Sequence, residues 1–391
     1  MAINAGFYQE PFDYPGLAHF LEHMVFMGST KYPNENHFDN FISSRNGRTN
    51  AFTDAEMTMY FVEIKPDSFD ELIDIWSRFF IDPLLNTDSI NREIQAVDSE
   101  FKLARSRDDF RIQGMFVELA EKAHPASKFG MGNIFSLKKT NSSLVEAPLS
   151  LYTRLQDFHN QFYVAGNMNL VLQSSDSLES LEKLAIEKFA VIPSRIAENV
   201  KNGENVDNIQ NIKNTDPMAD ITKFIGQIDT WSEMYGKVYE VIPTGNSNIL
   251  LVIFQLPPTR KNWETDSVGY LSWLIGHESD GSILHQLQIE GLAISLTSST
   301  GKNDGEANNN LFSTLKIQVV LSDTGAERYD TVLDVIFSYS ALKIPRKNSN
   351  KNKFYSQEII VIVFFILFLF STHFISNFYV PSAPNSTFTK K

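Results

Sequence analysis

The sequence predicts a mixed fold of helices and strands laid out as two similar blocks, and three observations predict it. Segments with apolar residues at helical spacing alternate along the chain with short runs dominated by β-branched and aromatic residues, so neither element type is confined to one half. The order of elements after residue 236 repeats, in outline, the order before 195. Between them, 196–235 is polar, rich in asparagine and weakly periodic, which reads as a connection. At 391 residues the chain is long enough to bury a core in each block. The expected division is a first domain at 1–195, a connecting segment at 196–235, a second domain at 236–345 and a tail at 346–391 of different texture.

The first strong element is a helix over 17–25. Asp13 and Pro15 are start signals, Gly28 is a stop signal, and Leu17, Phe20, Leu21, Met24 and Val25 supply an apolar face. A loop from Lys31 leads to a short helix around Phe38, Phe41 and Ile42, and Asn46-Gly47 marks a turn. The β-branched and aromatic residues of 49–64 predict a strand. Residues 66–82 are predicted as an amphipathic helix that turns Phe69, Leu72, Ile73, Trp76, Phe79 and Phe80 inward, with Pro83 ending it. A longer helix follows over 87–105, with Ile90, Ile94, Val97 and Phe101 available for packing. Helices at 109–121 and 151–163, a strand at 167–173 and a helix at 177–189 complete the first block. In the second, strands are expected at 237–242, 248–256 and 311–321, and helices at 266–275, 281–289 and 324–342.

The chemistry concentrates in Gly16-Leu17-Ala18-His19-Phe20-Leu21-Glu22-His23-Met24. In a helix, His19 and His23 lie one above the other on a single face, and Glu22 projects beside them. Two imidazoles so placed can grip one divalent ion. Zinc held by nitrogen ligands with a position left open lowers the pKa of its bound water to about 7, and a nearby carboxylate can take that water's proton. Glu22 is the natural candidate. The order His-x-x-Glu-His reverses the commoner His-Glu-x-x-His. A three-ligand catalytic zinc needs one more donor, and in a chain without cysteine it has to be a histidine or a carboxylate. The 87–105 helix offers Glu93 and Glu100, which share a face, and also Asp98; spacing does not choose among the three. His124 reads as a loop residue. His277, in Gly276-His277-Glu278-Ser279, lacks a second histidine four residues on, and it and His285 read as structural.

Composition narrows the function classes. With 42% apolar and 21% charged residues this is globular material, and a formal net charge of -13 argues against a non-specific nucleic-acid binder while suiting basic peptides. The absence of cysteine rules out a disulfide framework and fits a reducing compartment. The first ten residues carry no basic flank followed by a long apolar run, so no secretory signal is expected. Every residue of 359–370 is apolar, and a weaker stretch runs on to 380; the uninterrupted part falls short of the ~20 residues of a clean membrane span, and the extension makes up the length. Lysines and Arg346 ahead of it would keep that side cytoplasmic if it inserted. The favoured expectation is a cytoplasmic protein with an atypical chain end at 346–391, with single-pass membrane association through 359–380 as the alternative.

The motif run, continued through Val25-Phe26-Met27-Gly28-Ser29, and the run Glu93-Ile94-Gln95-Ala96-Val97-Asp98-Ser99-Glu100 resemble the pitrilysin and insulin-degrading enzyme family of zinc metallopeptidases, the inverzincins. Residues 97–105 are most similar to its nardilysin branch, and the similarity runs from about 14 to 342, including Leu271-Ser272-Trp273-Leu274-Ile275-Gly276-His277-Glu278. The resemblance implies an α+β fold of two homologous domains, each a mainly antiparallel sheet covered by helices on one face, the second non-catalytic. It implies one Zn2+ per chain on His19, His23 and Glu100, with Glu22 as general base and Glu93 as the supporting acid. It also implies that Asn50-Ala51-Phe52-Thr53 is an edge-strand segment that pairs with the substrate backbone. That role fits physics, because an unpaired strand edge holds an extended peptide through main-chain hydrogen bonds with little sequence selectivity. The implied activity is metalloendopeptidase cleavage of peptides, at dibasic or arginine sites. Family members carry strands ahead of the zinc helix and, in the large subgroup, a second homologous half. The strands are expected to be incomplete here, and strong activity is expected only where a partner or a second copy supplies the other half. The competing expectation is a weak or inactive relative that binds peptides or a partner through the exposed edge.

Overall fold

A computed structural model describes residues 1–138, 147–194, 221, 223–225, 230–231, 236–245, 248–302, 304–343 and 362–368. The chain forms two compact units, Met1–Arg105 with Pro125–Lys223 and Ser106–His124 with Phe224–Lys391. In chain order the first unit contains β1 (Ala2–Ile3), α1 (Leu17–Met24), α2 (His37–Ser44), β2 (Arg48–Thr53), β3 (Thr58–Glu63), α3 (Phe69–Ile81) and α4 (Thr87–Ala104). After α5 (Asp108–Leu119), which belongs to the second unit, it continues with α6 (Ile134–Lys138), α7 (Ala147–Phe162), β4 (Met168–Asn169) and α8 (Leu178–Phe189). Its strands make an antiparallel sheet in the order β2-β3-β1-β4, which leaves β2 at an edge among the described residues.

The strand expected over 49–64 is a hairpin. Asp54 closes its turn: the Asp54 N–H donates to Met57 O at 2.7 Å, and Asp54 Oδ1 accepts from the Ala55 N–H at 2.7 Å. An aspartate that folds its side chain back on the next backbone group is a turn former, but the residues on both sides keep strand character, which hid the reversal. The register pairs Thr53 with Thr58 and Asn50 with Phe61. The strand expected at 167–173 pairs only at Met168 and Asn169 among the described residues.

Helix α1 owes its start to a group the local pattern did not mark. Where Asp13 and Pro15 were the expected signals, the Glu10 carboxylate accepts from the Gly16 N–H at 2.8 Å and the Ala18 N–H at 3.1 Å. It satisfies donors that the first turn leaves open. Gly16 has φ +88, and a Cβ there would stand 2.2 Å from Gly132 Cα, so the position requires glycine on both counts. Burial pushes the Glu10 carboxyl up from 4.5 to about 8, against the Gly16 and Ala18 N–H groups and Lys128, which pull it down. An acid whose pKa rises on folding stabilises the fold while it keeps its proton. That contribution is complete below 4.5 and is lost as the pH climbs through about 8. Glu10→Gln keeps an oxygen for the helix but cannot titrate. Its stability in urea is therefore expected to vary less between pH 5 and pH 8 than that of the wild type.

Phe20, Leu21 and Met24 of α1 and Leu72, Trp76, Phe79 and Phe80 of α3 are buried, each such side chain contributing about 1.5–3 kcal/mol of transfer free energy. Phe26, Phe38 and Phe79 meet edge to face with centroids 4.8–5.7 Å apart. Ile90, Ile94 and Val97 of α4 are buried as expected, and α4 packs against α1. This contact brings the two motif-bearing helices together.

The second unit contains β5 (Val238–Val241), β6 (Ile249–Leu256), α9 (Ser267–Gly276), α10 (Ile283–Ile289), β7 (Ala293–Ser299), β8 (Ser313–Leu321), α11 (Asp323–Glu327), α12 (Tyr329–Lys343) and β9 (Ile362–Phe368). The strand order is β5-β9-β6-β8-β7, antiparallel except where β5 runs parallel to β9. Leu250, Val252, Leu315, Ile317, Leu284, Leu287 and Ile336 lie at its core. Strand β7 was not expected: a bulge between Ala293 and Ser295 breaks the two-residue alternation that would have announced it. The single helix expected at 324–342 is two, divided at Arg328, with Ser322 capping the first through the Gly325 N–H at 2.9 Å. Of the apolar stretch 359–380, the described part is β9, seated between β5 and β6. Among the described residues no helix is long and apolar enough to cross a membrane. Most of 196–235 and the rest of 346–391 lie outside the described residues.

Candidate metal centre

Helix α1 presents His19 and His23 one turn apart, with ring centroids 4.9 Å apart. Helix α4 brings up Glu100, whose Oε2 lies 3.6 Å from His19 Nε2 and 3.7 Å from His23 Nε2. The three ligand atoms lie within 4.8 Å of one another, and no other group among the described residues meets that test. Donors placed tetrahedrally at zinc-ligand distances of 2.0–2.2 Å stand roughly 3.4 Å apart, so the observed separations fit an ion between them.

The other ring nitrogens are already engaged. His19 Nδ1 lies 2.7 Å from Met131 O, which can only accept, so the proton sits on Nδ1 and Nε2 keeps its lone pair. His23 Nδ1 lies 3.3 Å from Glu93 Oε2. Partners of this kind fix the tautomer and aim of a metal-binding imidazole. Glu93 therefore stands behind His23, while Glu100 lies on the open side with its side chain 48% exposed. Asp98 does neither: it is buried, paired with Lys102 at 2.6 Å, and accepts from the Ile134 N–H at 3.2 Å.

Electrostatics favour a cation at this point. Burial holds His19 below its ordinary value, helped by the His23 charge. Burial also pushes His23 down, but Glu100, Glu93 and Glu22 outweigh it and carry its pKa up to about 9. Glu100 is held low, first by its hydrogen bond with His23. Without an ion, the carboxylates thus draw a proton onto His23. Burial raises Glu22 from 4.5 to about 7, against its hydrogen bond from Thr53, which suits a group that gives and takes protons at neutral pH. Glu22 is 7% exposed and lies outside the three-ligand group.

Asn50, Ala51, Phe52 and Thr53 lie in edge strand β2, with Asn50 and Phe52 exposed and Ala51 and Thr53 half-buried. The Thr53 hydroxyl turns to Glu22 Oε2 at 2.6 Å, a contact the sequence reading did not foresee. It also missed Met131, whose signal was the flanking glycines that let the loop close on the helix. A Cβ on Gly130 would stand 2.4 Å from the Phe7 ring, and Gly132 has φ +74. The remaining histidines named above have other partners: His124 is buried and packs on Phe224, His277 lies 3.4 Å from Tyr339 Oη, and His285 pairs with Asp280 at 3.4 Å.

Residues 1–123 match the family described as Insulinase (Peptidase family M16), and residues 150–342 match the Peptidase M16 inactive domain. The chain is 37% identical over 342 residues to nardilysin of Rattus norvegicus, covering 87% of this chain and 27% of that one. It is 36% identical over 361 residues to nardilysin of Homo sapiens, covering 91% and 29%. Among solved structures it is similar to pitrilysin, with a TM-score of 0.71 and 27% identity over 87% of this chain and 33% of that chain. The chain spans under a third of the length of these curated relatives.

Proposed function

Because the chain belongs to the insulinase family of peptidases, peptidase family M16, we propose that it is a zinc-dependent metalloendopeptidase holding one ion on His19, His23 and Glu100. The observation that carries this reading is the convergence of those three ligand atoms from two helices, with both imidazole Nδ1 atoms engaged from behind. Zinc, when bound there, supplies Lewis acidity that polarises the scissile carbonyl and acidifies the attacking water. Glu22 accepts the proton of that water and returns it to the leaving amine. Glu93 and Met131 O hold the two rings in their ligating tautomer. At the sheet edge, Asn50, Ala51, Phe52 and Thr53 take the peptide as an added strand through its backbone.

A preference for basic, dibasic or arginine-containing peptides is supported by charge. The chain carries -13 overall, and Asp39 feels the charge of Glu93 beside the site. The absence of cysteine supports a cytoplasmic setting. The test is elemental analysis beside cleavage of a quenched dibasic peptide. One zinc per chain is expected, with hydrolysis that a chelator abolishes and added zinc restores. One zinc without hydrolysis would favour a peptide-binding relative instead, and no zinc would overturn the reading.

A further inference from the structure

Thr53 ends β2, where the hairpin register pairs it with Thr58. Its Oγ1 donates to Glu22 Oε2 at 2.6 Å, within the short range of a hydroxyl bonded to a carboxylate. Glu22 is buried, and its other oxygen, Oε1, accepts no hydrogen bond among the described residues. A glutamate side chain turns about several bonds, so an untethered carboxylate spreads over orientations. A general base has to stand within about 2.6–3.2 Å of the proton it takes.

We infer that Thr53 is a positioning residue, whose hydroxyl fixes the Glu22 carboxylate and leaves Oε1 as the oxygen that accepts the proton. This rests on the proposed role of Glu22 as base. The tether comes from the same strand that takes the peptide, so base and substrate are referred to one rigid element rather than to a loop. Helix α1 and strand β2 pack directly on each other, which keeps the link short.

The experiment compares Thr53→Val, which keeps the branched shape and removes the hydroxyl, with Thr53→Ser, which restores the hydroxyl. The first readout is free of turnover. In metal-free full-length chain labelled with carbon-13 at the glutamate δ-carbon, the Glu22 signal is the one lost in Glu22→Gln. Thr53→Val is expected to move that signal and Thr53→Ser to leave it in place. The second is kinetic: in the zinc-loaded chain, kcat falls about ten- to a hundredfold in Thr53→Val with KM little changed, and Thr53→Ser recovers kcat to within about threefold. A Glu22 signal unmoved in Thr53→Val, or a moved signal with unchanged kcat, overturns the positioning role. A wild-type chain that binds zinc and cuts nothing overturns the hydrolase reading instead, and the carboxyl signal still decides whether Thr53 holds Glu22.

Discussion

Glu22→Gln is expected to lower kcat by about 10²–10⁴-fold while leaving one zinc per chain. The amide matches the carboxylate in shape and can still accept from the Thr53 hydroxyl, but it cannot take a proton from water. Zinc content should hold because Glu22 is not one of the three converging ligands. Stability should hold as well, and the direction can be stated. Burial raises the Glu22 pKa to about 7, so this acid favours the folded state below 4.5, and the contribution is lost as the pH rises through about 7. At pH 8 the wild type carries a buried charge that the glutamine variant does not. The variant should therefore melt no lower than wild type there. Loss of peptide cleavage with intact zinc and an unchanged or higher Tm assigns the proton transfer to Glu22. Cleavage at the wild-type rate removes it from the mechanism.

What could be read from the sequence was local. His19 and His23 share a face because both lie within one helix, and the same argument put Glu93 and Glu100 together on another. Which acid meets the imidazoles is a tertiary fact. Asp98 is two residues from Glu100, yet Lys102 and the Ile134 N–H hold it elsewhere, and neither contact leaves a trace in helical spacing. The same holds for the supports of α1. Glu10 caps it from outside any local capping pattern, and Met131 reaches His19 across 112 positions. In the second unit the apolar run around 362–368 fits either a buried strand or part of a span by composition alone, and pairing with β5 and β6 is what separates the two.

The three acids of α4 should separate by their effect on zinc, in an order their spacing cannot supply. Glu100→Ala removes the proposed third ligand. If the roughly 10–16 kcal/mol of a structural zinc site is shared among four donors, each is worth about 2.5–4 kcal/mol, so affinity should fall about 10²–10³-fold. Glu93→Ala leaves the three proposed ligands in place but frees His23 Nδ1, and loss of such a support costs about 10–100-fold. Asp98→Ala should leave zinc affinity near wild type while lowering stability, because Lys102 and the Ile134 N–H lose their shared acceptor. Competition against a zinc-responsive dye reads all three. An Asp98 effect as large as that of Glu100 would mean the α4 face is turned differently when the ion is bound. Equal losses from Glu93 and Glu100 would place both carboxylates on the metal. The order Glu100, Glu93, Asp98 follows from what each carboxylate faces: Glu100 the Nε2 atoms of both imidazoles, Glu93 only the Nδ1 atom of His23, and Asp98 Lys102 and the Ile134 N–H.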